Sequence, residues 1–204
     1  MVRFLVSCQN LLDRVRTLDF LGLVLLRAYL VPVFWVAGSN KIDFATLLPK
    51  QGTVQWFGNA DWGLGLPFPE LMAFLAGWSE IAGAVALALG FATRWAAIPL
   101  MVTMLVAMMT VHWRHGWQLI ADPAVCPFNC GDARAAVERL SVAKQLLRQH
   151  GDYGWLTEHG SFVVLNNGIE FAATYFVMLL LLFLFGAGRY LSVDYWLDRR
   201  FRRV

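Results

Sequence analysis

The stretch LDFLGLVLLRAYLVPVFWVAG, residues 18–38, decides the fold class of this chain. Its side chains are almost all apolar, with Asp19 near its start and Arg27 as the one charged side chain in its interior. A helix needs about 20 predominantly apolar residues to cross the hydrocarbon core of a bilayer. The stretch therefore predicts a membrane-spanning helix.

Three further apolar segments meet the same length requirement, at residues 69–90, 93–111 and 163–188. So few residues join the first two of these that they are predicted to form an antiparallel hairpin. Hydrophobic residues make up 58% of the chain and charged residues 15%, whereas a soluble domain has roughly 45–50% and about 25%. We therefore expect an all-α fold: an integral membrane four-helix bundle formed by a single transmembrane domain over residues 1–204.

Two long polar stretches separate the predicted spans on the side of the membrane opposite that hairpin. The first, residues 39–68, is rich in Gly, Trp and Pro, as is typical of a loop at the membrane interface. The second, residues 112–162, is predicted to contain an extramembrane amphipathic helix that Asp132 can cap and Gly151 can end. The apolar positions of that helix recur at helical spacing: Ala136, Leu140, Ala143 and Leu147.

Lysine and arginine residues near the span ends predict the orientation in the membrane. One side carries nine of them on short segments: Arg3, Arg14, Arg16, Arg94, Arg189, Arg199, Arg200, Arg202 and Arg203. The other side carries seven: Lys41, Lys50, Arg114, Arg134, Arg139, Lys144 and Arg148. Because charges deep in long loops count for less, we expect both termini on the cytoplasmic side of a bacterial inner membrane. The formal net charge of +3 is too small to favour a nucleic-acid partner.

Three ionisable side chains fall within the predicted spans: Arg27, Glu80 and Glu170. A charge at the bilayer centre costs at least ~2.5–3.5 kcal/mol on insertion scales, so such residues usually face the interior of a bundle. Their depths would let all three meet inside one bundle, with His112 closing the third span at its outer end. One arginine against two glutamates leaves a negative charge that a proton, a second cation or a ligand can balance. The alternative is structural, with Arg27 and a glutamate pinning the helices together.

Small residues surround Glu80 on its predicted span. Residues at four-residue spacing are predicted to share one face of this helix: Ala76, Glu80, Ala84 and Ala88. Gly77 and Gly83 lie beside that face. Small residues at this spacing let helices approach closely in a membrane. We expect this face to be a helix-packing surface.

A second group of reactive side chains lies in the outer loop after the third span: His112, His115, Cys126 and Cys130. Thiolate and imidazole ligands together suit copper or zinc, and thiolate favours Cu(I). The two cysteines can instead form a disulfide if the loop faces an oxidising compartment, or act as a transient redox pair. The sequence leaves these three interpretations open.

Several blocks of the sequence together resemble the DoxX-like family of membrane proteins. They are LLRAYLVPVFW at 25–35 with Gly38, Asn40 and Lys41, then Glu80, Gly83 and LGFATR at 89–94, Val111-His112, NNGIE at 166–170 and GAGRYLSVD at 186–194. The resemblance covers about residues 20–196. Members of the DoxX-like family include a subunit of a thiosulfate:quinone oxidoreductase and components of oxidative-stress complexes. The resemblance therefore implies a quinone as a candidate cofactor.

Three more segments are similar to the HvfX-type branch of that family: WFGN at 56–59, DWGLGLPFPE at 61–70 and WLTEHGSFV at 155–163. That branch is encoded beside enzymes that modify cysteine-containing, copper-binding ribosomal peptides. The resemblance therefore implies an accessory protein in the maturation or handling of such a peptide, with the modifying enzymes and the peptide as partners. Cys126 and Cys130 are not part of the branch pattern.

On this hypothesis Arg27 anchors a carbonyl or holds a carboxylate, Glu80 and Glu170 exchange protons, and His112 links the site to the outer side. A rival hypothesis is a non-catalytic scaffold that docks soluble maturation enzymes through the basic tail Arg199–Arg203. A third is transport of a small molecule or metal, although the sequence has no detectable inverted repeat.

Overall fold

The computed structural model describes residues 6, 9, 12, 13, 15–124, 126–128 and 130–201, without the side chains of Arg16 and Cys130. Predictions that concern the Cys130 side chain therefore lie outside the described residues, as do those for Arg3, Arg14, Arg202 and Arg203. Regular structure in the described part is almost entirely helical, which confirms the all-α class.

Eight α-helices follow one another in the described part of the chain. They are α1 Asp19–Lys41, α2 Gln51–Gly58, α3 Pro69–Leu89, α4 Thr93–Ala107, α5 Cys130–His150, α6 Tyr153–Leu156, α7 Glu170–Phe185 and α8 Val193–Phe201. A π-helical turn, Met108–His112, and a 3-10 turn, Trp113–His115, extend α4. Two short strands, β1 Ile42–Asp43 and β2 Leu48–Pro49, pair antiparallel with Ile42 opposite Pro49.

Three of the described helices are long and apolar enough to cross a membrane: α1, α3, and α4 together with its extension to His115. Their bounds lie within a few residues of the first three predicted spans. The last apolar helix, α7, has 16 residues and is ~24 Å long, less than the ~30 Å of a bilayer hydrocarbon core. The bundle of membrane helices is confirmed, and the fourth crossing stays a prediction.

Backbone pairing shortens the fourth apolar helix relative to the predicted 163–188. Asn167 has a left-handed backbone with φ of 59°, a conformation that interrupts helical hydrogen bonding. The Asn166 amide donates to the Leu119 carbonyl at 2.7 Å and the Gly168 amide to Gln118 at 2.8 Å. These bonds satisfy the polar backbone without a helix, so α7 begins only at Glu170.

Residue contacts group the chain into two compact units, residues 1–103 with 175–204 and residues 104–174. In the first unit α1 packs against α3 at very close range. A Cβ added to Gly38 would lie 2.9 Å from the Gly77 carbonyl oxygen, and one added to Gly77 would lie 2.7 Å from the Ile42 side chain. The absence of side chains at both glycines thus permits the contact.

The buried face of α3 follows the true helical period rather than four-residue spacing. Its buried residues are Ala73, Gly77, Glu80, Ile81, Gly83, Ala84 and Leu87. Ala88, predicted on the same face as Glu80, is exposed. Steps of four residues overshoot a 3.6-residue turn by ~40° each, so the end of a four-residue series turns away from the contact.

The amphipathic helix predicted in the long loop is present as α5. It begins at Cys130, so Asp132 lies in its first turn rather than at the cap. It ends at His150, and the Gly151 amide donates to the Leu147 carbonyl at 2.9 Å. Ala133 is its most deeply buried apolar side chain among the described residues.

Candidate functional site

Glu80 forms a buried ion pair with Lys41 in the first unit. Lys41 Nζ lies 2.6 Å from Glu80 Oε2, with the glutamate side chain 5% and the lysine side chain 22% exposed. The same ammonium also donates to the Ala37 carbonyl at 3.2 Å. Lys41 therefore supplies the positive charge that lies beside Glu80.

The sequence analysis does not predict Lys41 as a site residue, although two features of the sequence point to it. It ends the first apolar helix and belongs to the Gly38, Asn40 and Lys41 block of the DoxX-like pattern. Its partner lies 39 positions away on α3, a distance that only helix packing closes. The glycine contact between α1 and α3 brings the two side chains together.

A cavity of about 390 Å³ lies beside this ion pair. It is lined by Ala37, Asn40, Lys41, Gly52, Thr53 and Trp56. Ligand pockets for small molecules typically have volumes of about 300–1,000 Å³. The lining combines an ammonium, an amide, a hydroxyl and an aromatic ring, which suit a planar ligand with a carbonyl acceptor.

Arg27 contacts backbone carbonyl groups instead of a carboxylate. Its guanidinium makes five hydrogen bonds: to Leu87 at 2.8 Å, Ala88 at 3.4 Å, Ala187 at 2.7 Å, and Leu191 at 3.1 and 3.0 Å. Leu87 and Ala88 lie in the last turn of α3, where the helix dipole favours a cation. These contacts favour the structural interpretation of Arg27.

Arg27 and Glu80 lie in separate clusters. Arg27 and Lys41 are fourteen residues apart on α1, which is ~21 Å along a helix that rises about 1.5 Å per residue. Since Lys41 holds Glu80 at one end of α1, Arg27 and Glu80 do not share a ligand-sized site. The role of Arg27 as a carbonyl anchor for a ligand gains no support from this geometry.

The hairpin between α3 and α4 closes around Arg27. Gly90 ends α3 with φ of 63°, and a Cβ there would lie 2.6 Å from both Arg27 Nη1 and Ser192 Cβ. The Asp194 carboxylate accepts the Ala92 amide at 2.7 Å and the Thr93 amide at 3.0 Å. Asp194 therefore caps the start of α4 from a distant part of the chain.

Glu170 and His112 both organise the polar backbone of the second unit. Glu170 Oε2 accepts the Leu119 amide at 2.9 Å, and the His112 ring contacts the Asn167 carbonyl through Nδ1 at 2.8 Å. The Asn166 side chain donates to the His115 and Gln118 carbonyls at 2.6 and 3.0 Å. The role predicted for Glu170 and His112 in proton exchange stays a prediction.

The interpretation of the cysteine and histidine group as a copper site stays a prediction, because the Cys130 side chain lies outside the described residues. Cys126 is disulfide-bonded, so its sulfur is not a thiolate ligand. His115 Nε2 accepts a hydrogen bond from Arg114 Nε at 3.1 Å. Among the described residues, no three His, Cys, Asp or Glu side chains are placed to hold a metal ion.

Comparison with known proteins adds one finding to this geometry. The DoxX family model matches residues 22–113. The matched residues include α3 and nearly all of the other two long apolar helices, with Arg27, Lys41, Glu80 and Gly90 among them, so the match supports the DoxX-like resemblance. No curated protein and no solved structure gives a significant match.

Proposed function

We propose that this chain is a membrane accessory protein whose Lys41–Glu80 pair binds the carbonyl head of a quinone-sized ligand and exchanges protons with it. The main support for this proposal is the ion pair, in which Lys41 Nζ lies 2.6 Å from Glu80 Oε2. Glu80 is almost fully buried, and Lys41 lines the 390 Å³ cavity. An ionisable pair beside a cavity is a functional-site candidate because burial and charge together set its protonation.

Each residue of the cavity has a distinct part in this proposal. Lys41 donates from its ammonium to the ligand carbonyl, and Asn40 offers a second polar contact. The Trp56 ring presents a flat apolar surface on which a planar head group can stack. Glu80 stabilises the charged form of Lys41, whose ammonium would give a proton to the ligand carbonyl and would then be reprotonated from water. A bound quinone would supply two-electron redox chemistry at this position.

The biological setting of this site is proposed from resemblance. The segments at 56–59, 61–70 and 155–163 are similar to the HvfX-type branch, and one of them contains Trp56 of the cavity. We therefore propose that the protein acts in the maturation or handling of a copper-binding modified peptide. The copper would belong to the peptide, since Cys126 is disulfide-bonded here.

The test is to measure quinone bound to the purified protein. Wild-type, Glu80→Gln and Glu70→Gln proteins would be extracted from the same membranes, and quinone would be quantified by mass spectrometry per mole of protein. Glu70 is the matched control because it is an exposed glutamate in the first turn of the same helix. We expect quinone near one per protein in the wild type and in Glu70→Gln, and a loss in Glu80→Gln.

Two outcomes would contradict the proposal. Absence of quinone from all three proteins would remove the proposed ligand. Equal quinone in Glu80→Gln and Glu70→Gln would remove the Lys41–Glu80 pair as its site. Release of mature peptide by cells that carry each variant would then report separately on the proposed role in peptide maturation.

The scaffold hypothesis has one observation in its favour. Arg199 and Arg200 are exposed on α8, where a soluble partner could contact them. Capture of a maturation enzyme that depends on Arg199 and Arg200, with peptide maturation unaffected by Glu80→Gln, would support the scaffold instead.

A further inference from the structure

A larger cavity, of about 920 Å³, lies at the end of α1 opposite Lys41. It is bounded by the start of α1, the start of α4, the end of α7 and α8, and its charged lining residues are Arg94, Arg189, Asp19, Asp194 and Asp198. Asp19 pairs with Arg189, and the Asp194 carboxylate accepts the Ala92 and Thr93 amides. All of these residues belong to the first unit. The cavity therefore lies where two apolar spans begin, at the level expected for lipid head groups.

The two arginines of this cavity differ in how their charge is balanced. Arg189 Nη2 lies 2.5 Å from Asp19 Oδ1, so its charge is paired. Arg94 donates from Nε to the Phe183 carbonyl at 2.8 Å and lies over the Phe183 ring. Among the described residues Arg94 has no ion-pair partner. Its terminal nitrogens remain available for an anion.

An apolar surface leads away from Arg94 along the outside of α4. Trp95, Ile98 and Val102 follow one another at helical spacing, and all three are exposed. Trp95, which is 77% exposed, adjoins Arg94, an arrangement of aromatic and cationic side chains typical of the membrane interface. Trp95 and Ile98 also line the cavity, so the polar and apolar surfaces are continuous.

We propose that this cavity binds an anionic phospholipid, with the head-group phosphate on Arg94 and an acyl chain along Trp95, Ile98 and Val102. Arginine forms paired hydrogen bonds to phosphate through its planar fork. The predicted orientation puts the cavity in the cytoplasmic leaflet, where anionic lipids attract basic side chains. The continuity with an apolar helix face favours a lipid over free phosphate.

Native mass spectrometry can test this proposal on the full-length protein in detergent. Delipidated protein would be given phosphatidylglycerol or phosphatidylcholine with identical acyl chains, and the fraction of protein with lipid bound would be measured. We expect the wild type to prefer phosphatidylglycerol, and Arg94→Gln to lower that preference about fivefold. Arg199→Gln is the matched control, since it removes one exposed arginine that does not line the cavity.

A conservative variant separates charge from folding. Arg94→Lys keeps a cation and should retain part of the preference if Arg94→Gln proves unstable. Equal binding of the two lipids by the wild type would overturn the proposal whether or not any variant folds. An equal loss of the preference for phosphatidylglycerol in Arg94→Gln and Arg199→Gln would also overturn the proposal. So would inorganic phosphate alone, if it stabilised the lipid-free protein as much as phosphatidylglycerol does.

Discussion

The two charged side chains buried in the apolar helices of the first unit are neutralised in different ways. Arg27 spreads its hydrogen bonds over backbone carbonyls of the last turn of α3 and of the segment between α7 and α8. Glu80 has a single strong partner, the Lys41 ammonium. Arg27 stabilises the fold because it joins three chain segments. Glu80 has one side-chain partner beside a cavity, and it can exchange that partner when a ligand binds.

The free energy of unfolding should reveal the Lys41–Glu80 coupling in a double-mutant cycle. Glu80→Leu leaves Lys41 without its counter-charge in a mostly buried position, so we expect a loss of ~3 kcal/mol. Lys41→Met together with Glu80→Leu should recover most of that loss, because no unpaired charge remains. Unfolding by SDS titration in mixed micelles would measure each variant. Additive losses in the double variant would show that the two side chains are not coupled.

Helix ends in the first unit depend on contacts from distant segments. Asp194, just inside α8, caps the start of α4, and Ser192 Oγ accepts the Tyr195 amide at 3.2 Å at the start of α8 itself. Gly90 ends α3, and because it has no side chain it leaves room for the side chains of Arg27 and Ser192. The hairpin between α3 and α4 is therefore held in shape by α1 and α8 as well as by its own turn.

Gly90→Ala should destabilise the first unit while Gly22→Ala does not. At Gly90 a Cβ meets Arg27 and Ser192 at 2.6 Å on a left-handed backbone, which together should cost at least about 1 kcal/mol. At Gly22 a Cβ meets no atom within 4 Å, and alanine favours a helix interior by about 0.5–1 kcal/mol. Thermal unfolding in detergent would measure the melting temperatures of Gly90→Ala and Gly22→Ala. Equal melting temperatures would contradict the close packing at Gly90.

The start of α1, the start of α4 and the end of α7 lie at the same end of the first unit. Arg189 beyond α7 contacts Asp19 at the start of α1, and Arg94 at the start of α4 contacts Phe183 near the end of α7. Tyr29 of α1 faces Tyr175 with ring centroids 6.3 Å apart, so α7 runs antiparallel to α1. The side of the membrane on which each terminus lies stays a prediction.

Cysteine labelling can test the orientation of the whole molecule. Single cysteines would replace Gln145 on α5 or Phe201 on α8 in a chain without its native cysteines; Phe201 is 76% exposed. We expect an impermeant maleimide to label Gln145→Cys in intact spheroplasts and Phe201→Cys only after lysis, because the basic short segments favour the cytoplasm. The reverse pattern would invert the topology. Labelling of both from outside would mean that α7 does not cross the bilayer.

The sequence by itself determined the features that depend on local composition. Long runs of apolar residues predict membrane helices wherever they occur, so three helices agree with their predicted bounds and the class is all-α. A charge within such a run is expected to be buried and partnered, and the sequence alone therefore predicts that Arg27 and Glu80 face the interior of the bundle. The DoxX family model matches residues 22–113, which contain the DoxX-like blocks between residues 25 and 112.

Only the tertiary structure decided which groups neutralise those charges and where α7 begins. Lys41 lies 39 positions from Glu80, and the carbonyl partners of Arg27 lie 60 to 164 positions away. The pairing of Asn166 and Gly168 with residues 118 and 119 likewise joins segments far apart in the chain. Hydrogen bonds and ion pairs act over a few ångströms, so their partners depend on how the helices pack and not on the order of residues along the chain.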